Sequence, residues 1–565
     1  MFGEMIGTIS DFMYSYLLII MLLAVGLYFT IRTRGVQLRL LAESIRVVGE
    51  KSSSRESVSA FQALMVSTAS RVGTGNIVGV ANAIAVGGYG AVFWMWIIAL
   101  LGGASAFIES TLAQIYKVRD KNGGSYGGPS YYIQAALKSR WLGVVFAAAL
   151  IATYAGGFNM LASFNLIDSM SGYSFYGDPQ TSLVPLVGGG LLAVLVAVCV
   201  LGGGRRIVRI TGLLVPFMGV TYILMALVVM ALNFQMLPQV FGRIIAGAFD
   251  FRAIFGGFAG SALMEGIKRG LYSNEAGVGS APNAAAAADV SHPVKQGLVQ
   301  MLSVFIDTLL VCTATAMMCL CTGIVPSEQL KGAAFVQQSL STTFGSVGPY
   351  FLTLALLLFA FTTLLGNLFY CEGCLRYITR ERIGKRGLTV FRLAAAALVF
   401  AGAQMEFDLV WDVADVLMGV MALINLPVIV LLGRTALSAL KDYTMGVGFI
   451  VMALSYAVMA MAPSIAVFYV GCLIFGLGMS VVMPGVFLNV GNSVGPAAVG
   501  MALSIATCVQ NFGQFCSPYL FNPIAQAVSG ESGLANVASF YVAAGIGALL
   551  GVIMLIRAAA SGKKA

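Results

Sequence analysis

Two stretches of this chain set glycines and polar residues inside otherwise apolar runs, where an uninterrupted helix has no use for them. Residues 67–90 read STASRVGTGNIVGVANAIAVGGYG, with Gly73, Gly75 and Gly79 in sequence and Arg71 beside them. Farther along, Phe255–Ser261 (FGGFAGS) is followed by GLYSNEAGVGSAPNAAAAADV. Unwound backbone frees carbonyls and amides that lipid cannot satisfy, so it persists at membrane depth only where it lines a cavity or binds an ion or polar ligand. Half-helix N-termini suit a carboxylate, and free carbonyls suit a hard cation or an ammonium group. An amino acid carries both charges. The competing reading is close helix packing through small residues. Thr362 and Thr363, in LFAFTTLLGNLFYCE, add neighbouring hydroxyls fit for sodium, unless both bond back to their own helix. Asp307, in SVFIDTLLVCTATA, is an acid within an apolar run; it reads either as an ion- or proton-coupling group or as a structural partner of Arg71 or a threonine.

The elements that hold these residues are membrane helices. Of the 565 residues, 59% are apolar and 10% charged, a surface that only lipid can solvate. About fifteen apolar runs are long enough to cross a bilayer. The first, from Met13 to Ile31, lacks a basic flank before it and a cleavage site after it, so it reads as a retained helix. The net charge of +9 is dispersed over loops rather than gathered in one stripe, which argues against nucleic acid and for orientation by basic cytoplasmic loops. Those loops hold Arg32–Arg55, Lys117–Lys121, Arg205–Arg209, Lys268, Arg269, Lys295 and Arg376–Arg386. The nine cysteines are scattered through apolar segments, and Cys371 with Cys374 has no further ligand nearby, so packing is the reading rather than metal or redox chemistry. With one histidine, no nucleophile–base–acid set and no nucleotide loop, the chain does not read as an enzyme.

The segments GTGNIVGVANAIAVGGYGAVFWMW, GGPSYYI, SNEAGVGSAPNAAAAADV and FAFTTLLGNLFYCEGC resemble the alanine or glycine:cation symporter family over about residues 5–444. The resemblance implies an all-α integral-membrane protein of the cell membrane. Its LeuT-type core has two inverted five-helix repeats (5+5) after one extra N-terminal helix. Residues 1–60 then hold that helix and a cytoplasmic amphipathic segment, and 61–444 the core, with the first core helix at about 61–86 and the sixth at about 251–268. It also implies sodium held by the Ala69 and Val72 carbonyls and the Thr362 and Thr363 hydroxyls. The substrate carboxylate would lie on Gly73, Thr74 and Gly75, and its ammonium on carbonyls around Gly257, Ala259 and Gly260, with Phe258 closing the pocket. Asn76 and Asp307 would form a second polar or cation site, for sodium or a proton. The third core helix reads Asn159-Met160-Leu161-Ala162 where many members carry asparagine with glutamine three residues on, and Asn159 falls near the substrate side chain. The implied cargo is a small neutral amino acid, alanine or glycine first with serine or glutamine as alternatives, and no obligatory protein partner is implied.

A composition change near 440–445 separates residues 445–565, with four further helices near 446–461, 464–487, 497–515 and 536–557. This part resembles the last four helices of a major facilitator superfamily transporter. Four helices lack the opposing half that makes a binding cavity. They nevertheless define the alternative function, a facilitator-type efflux or metabolite transporter.

Overall fold

The computed structural model describes residues 2–50, 52, 57–119, 124–178, 181–250, 261–327, 330–492, 494, 498–529 and 535–561. It is helical apart from a two-stranded hairpin, β1 (Val118–Arg119) and β2 (Ser125–Tyr126). Its contacts separate two compact units, residues 1–433 and 434–565.

The first unit opens with α1 (Gly3–Arg32) and two short helices, Val36–Arg39 and Leu41–Val48. The first core crossing follows as two pieces, α2 (Ala60–Arg71) and α3 (Val78–Gly87). A capping box starts α2: the Ser59 hydroxyl accepts the Gln62 amide at 3.1 Å and the Gln62 side chain accepts the Ser59 amide at 3.0 Å. Next come α4 (Gly90–Ile115), the short α5 (Pro129–Leu137), α6 (Arg140–Asp168), α7 (Val184–Leu201) and α8 (Gly204–Leu232), then α9 (Leu237–Ala248). The second half repeats the plan. It has a divided crossing, α10 (Ala262–Asn274) and α11 (Pro282–Ala287), then α12 (Pro293–Leu320), α13 (Gly332–Phe344), α14 (Val347–Ile378), α15 (Lys385–Gly402) and α16 (Phe407–Ala460).

Five crossings are an odd number, so the second set starts on the opposite side of the membrane from the first. The packing has the matching symmetry: α4 lies on α12, α6 on α14 and α7 on α15, each helix against its counterpart in the other repeat. The outer halves α3 and α10 pack together, as do the inner halves α2 and α11. This is the inverted five-plus-five arrangement expected of a LeuT-type core. Among the described residues ten helices are long and apolar enough to span a membrane. The divided crossings consist of pieces too short to be counted so, and three basic residues lower the hydropathy of α15.

The sixth core helix differs from expectation. Its described part begins at the Ser261 cap, whose hydroxyl accepts the Met264 amide at 3.2 Å, and the interruption that follows spans 275–281. Gly87, at the outer end of α3, lies against Ala262 and Glu265. Lys268 and Arg269 are therefore not in a cytoplasmic loop but in the outer half of the core. There Asp415 of α16, fully buried, meets Lys268 at 3.1 Å and Arg269 at 3.2 Å. Glu265 lies 3.8 Å from Arg269, the Lys268 ammonium bonds Ser10 at 3.1 Å, and the Arg269 guanidinium stacks over Trp411 at 4.4 Å. The cluster ties α1, α10 and α16 together.

In the second unit, α17 (Ile465–Asn492), α18 (Val499–Ser529) and α19 (Ala535–Ser561) follow the tail of α16. No separate helix starts near 446, because α16 runs unbroken to Ala460; α18 is longer than expected and contains Pro518 and Pro523.

Removing one partner of a buried ion pair costs about 3–5 kcal/mol. Asp415→Asn strands two cations and is expected to lower the Tm of the detergent-solubilised protein clearly. Adding Lys268→Met, which leaves Arg269 with Glu265, should recover part of the loss. A Tm for Asp415→Asn within about a degree of the parent would contradict this cluster's structural role.

Candidate functional site

The first interruption, 72–77, follows from its residues. Val72 (ψ 83°) leaves the helical conformation, Thr74–Asn76 form a single 3-10 turn, and α3 starts again at Val78. The Asn76 side chain holds this turn from both ends: its Oδ1 accepts the Gly73 amide at 2.8 Å, and its NH2 donates to Asp307 Oδ1 at 2.6 Å and Ser273 Oγ at 2.8 Å. Ser273 donates to Asp307 Oδ2 at 2.7 Å and Thr308 does so at 2.8 Å. Three donors thus converge on a fully buried carboxylate. Asn76 and Asp307 are brought together, and a threonine, Thr308, is among the three donors to Asp307. Arg71 forms no ion pair among the described residues.

Thr363 Oγ1 donates to the Ala69 carbonyl at 3.1 Å. Gly73 lies so close to that hydroxyl that any Cβ would collide with it, and a Cβ on Gly75 would strike the Tyr272 ring. Glycine is needed at both positions for this approach rather than for a left-handed backbone. Thr362 points elsewhere: it donates to Leu358 O at 2.9 Å and Phe359 O at 3.1 Å in its own helix and faces Met218 Sδ of α8 at 3.3 Å. Of the oxygens expected to hold sodium, the structure joins those of Ala69 and Thr363 and leaves the Thr362 hydroxyl on its own helix.

Between the two interruptions lies a cavity of about 10 Å3, room for about one water-sized sphere. Its floor is Arg71, Gly73, Thr74, Gly75 and Thr363; its walls include Phe158, Ala162, Tyr272 and Glu275. Tyr272 packs tilted against Phe158, with ring centroids 4.8 Å apart, and against Trp411 at 5.1 Å, so an aromatic lid separates the cavity from the outer ion cluster. Asn159 is not in this wall. Its oxygen accepts Asn367 Nδ2 at 2.9 Å, and Asn367 in turn accepts the Ser70 hydroxyl at 2.6 Å, joining α6, α14 and α2. The reason lies one residue upstream: 152–158 is a π-turn, whose extra residue shifts the face that follows and presents Phe158 and Ala162 instead. A second π-turn, Phe305–Cys312, carries Asp307 and Thr308. Gly257, Phe258, Ala259 and Gly260 lie outside the described residues.

Several further participants, all but Arg71 not singled out from sequence, complete the site. Asn165 donates to Thr74 Oγ1 at 3.0 Å. Arg71, 3% exposed, donates to the Gln300 carbonyl at 3.2 Å while its Nε and second Nη have no partner among the described residues. Glu275 opens the second interruption with a left-handed φ of 53° and accepts the Ser280 hydroxyl at 2.7 Å. Glu109 of α4 and Asn425 of α16 bracket the same interruption: Asn425 donates to Glu109 at 2.9 Å and to the Gly277 carbonyl at 2.9 Å. The signal for Glu275 was present in SNEAGVGSAP, an acid among glycines ahead of a proline. Asn165, Glu109 and Asn425 stand in ordinary helical context, and only the fold reveals them.

Over residues 1–447 the chain matches the sodium:alanine symporter family. It is 44% identical over 443 residues to the amino-acid carrier protein AlsT of Bacillus subtilis, covering 78% of this chain and 92% of that one. It is 43% identical over 443 residues to the probable sodium/glutamine symporter GlnT of the same organism (78% and 90% covered) and 37% identical over 451 residues to the sodium/alanine symporter AgcS of Methanococcus maripaludis (78% and 97%). Among solved structures, MhsT in complex with L-phenylalanine aligns with a TM-score of 0.47 at 14% identity, covering 80% of this chain and 99% of that one. Residues 448–565 lie outside the family match, and the facilitator-type alternative is not favoured. With both interrupted helices and the threonine pair inside the matched region, the chain belongs to the sodium:alanine symporter family and is a multi-pass membrane transporter.

Proposed function

We propose that the chain imports small neutral amino acids, alanine and glycine first, together with sodium by alternating access, and that residues 61–444 carry the transport. The observation that supports this most is the meeting of two helix interruptions at one cavity with Thr363 bonded to the Ala69 carbonyl. In this reading sodium takes the Ala69 and Val72 carbonyls and the Thr363 hydroxyl, all hard oxygen donors. Thr362 joins only after its hydroxyl leaves its own helix. The substrate carboxylate lies on the Gly73–Gly75 backbone, at the start of the outer half-helix. Its ammonium faces the 275–281 interruption, where Glu275 supplies a carboxylate, so this stretch takes the part first expected of 257–260. Phe158, Ala162 and Tyr272 confine the side chain, and such bulky walls suit the small side chains of alanine and glycine.

Coupling follows from shared structure. Sodium at the end of α2 fixes the shape of the Gly73–Gly75 turn, so binding of either cargo favours the other. Asn76 and Asp307 form a second polar site on the other side of the same turn. It suits a second sodium or a proton, and the relative YrbD of Bacillus subtilis is named a putative sodium/proton-dependent alanine carrier.

Labelled alanine uptake into proteoliposomes under an inward sodium gradient tests this reading. Thr363→Ala should raise the half-saturating sodium concentration about tenfold, the effect of losing one ligand hydrogen-bonding group worth 1–1.5 kcal/mol, while Thr362→Ala stays within about threefold. Sodium-independent uptake by the parent protein would overturn the sodium reading. Ala162→Val should shift the ratio of kcat/KM for glycine over alanine upward by about tenfold or more; an unchanged ratio would remove Ala162 from the pocket wall. Deleting residues 446–565 should leave uptake within about threefold, and its complete loss would revive the facilitator reading.

A further inference from the structure

At the cytoplasmic end of the first unit, away from the transport cavity, lies a second concavity of about 620 Å3, within the range of small-molecule sites. The end of α4, the short helix α5, the start of α6 and the segment that follows α14 build it. Among the described residues Lys138, Arg140, Arg376 and Arg380 line it with one acid, Glu381, whose carboxylate accepts the Tyr126 hydroxyl.

The four cations are not equivalent. Arg140 is pinned: it stacks over Tyr377 at 5.2 Å and donates to the carbonyls of Tyr377 and Ile378 at 3.3 and 3.2 Å. Lys138, Arg376 and Arg380 make no ion pair or side-chain hydrogen bond among the described residues. The Tyr131 and Tyr377 hydroxyls in the same wall are buried without a partner among those residues, and Tyr377 is only 4% exposed. The backbone is strained here too. Five non-glycine residues adopt a left-handed φ among the described residues, and three of them, Lys138, Arg380 and Glu381, line this concavity. Such strain concentrates at functional sites. Cations converging on one hollow repel each other, an arrangement that an anion with several oxygens relieves.

We propose that this concavity binds a phosphate group, the chemistry shared by an anionic lipid headgroup of the cytoplasmic leaflet and a soluble organic phosphate. Arginine forks match phosphate oxygens, and basic pockets at the cytoplasmic ends of membrane helices suit phospholipid headgroups. The bound group would join α5 to the end of α14, the helix that carries Thr363, and so bear on the transport core from the inside.

The test uses the full chain in phosphatidylcholine nanodiscs, with binding read by native mass spectrometry and by the shift in Tm. Three probes are titrated separately: phosphatidylglycerol, inorganic phosphate and ATP. Saturable binding of phosphatidylglycerol supports the site with a lipid source; binding of phosphate or ATP without anionic lipid supports it with a soluble one. In either case Arg376→Gln with Arg380→Gln should weaken binding by about tenfold or more, and Lys385→Gln, a cytoplasmic basic residue outside the wall, should leave it unchanged. Lys138→Gln, at an exposed position, should weaken binding severalfold and keeps the test decisive if the double variant does not fold. The proposal is overturned by the absence of saturable binding for all three probes, or by an equal loss in Lys385→Gln and the pocket variants.

Discussion

A helix interrupted in the middle of a bilayer leaves amides and carbonyls that lipid cannot satisfy, and the arrangement of this protein follows from where those groups find partners. Asn76 is the main answer at the first interruption. One side chain takes up the Gly73 amide and reaches across to Ser273 and Asp307, so the turn of α2–α3 is hydrogen-bonded to α10 and α12 at once. Thr363 does the same from α14 at the Ala69 carbonyl, and Asn165 from α6 at Thr74. The second interruption is held from α4 and α16 by Glu109 and Asn425. Each break is therefore held by helices of both repeats, which is how a locally unwound backbone acquires a defined shape.

The two sides of the site are built differently. Outward, Tyr272 packs tilted against Trp411 and a buried cluster of Lys268, Arg269, Glu265 and Asp415 lies behind them. Such a cluster contributes little net stability, because desolvation offsets the attraction, but it penalises any arrangement that separates its members. Inward, Arg71, Glu275 and Glu109 surround the floor, and among the described residues Nε and one Nη of Arg71 have no hydrogen-bond partner, as Arg269 Nε and Trp411 Nε1 have none on the outer side. The two sides therefore differ in composition, an ion-paired cluster outward and one cation with two carboxyl groups inward.

Much of this was legible in the sequence, for identifiable reasons. Glycines at 73 and 75 and adjacent threonines in an apolar run are anomalies in a membrane helix, and their chemistry marks the site. The first core crossing, expected at about 61–86, is found at 60–87. Of the two glycine-rich stretches, FGGFAGS lies mostly outside the described residues, at 255–260, whereas NEAGVGSAP breaks the helix at 275–281 and reaches the cavity of the first break through Glu275. Lys268 and Arg269 looked like loop charges because sequence cannot show Asp415 arriving from a helix far along the chain to pair them. The family resemblance of the third core helix set Asn159 near the substrate side chain, whereas the cavity wall after the π-turn at 152–158 is formed by Phe158 and Ala162. The Thr362 hydroxyl took the bland course open to any threonine in a helix, a bond to its own backbone, while its neighbour crosses to α2.

If sodium and an amino acid share the unwound turn, each must change the affinity of the other by the same factor, since a coupling free energy is reciprocal. The direct measurement is equilibrium binding to the purified protein: the alanine Kd at low and saturating sodium, and the sodium Kd without and with saturating alanine. The account predicts equal factors of about tenfold or more in the two experiments, within the usual range of coupling energies. An alanine Kd that does not depend on sodium would contradict it.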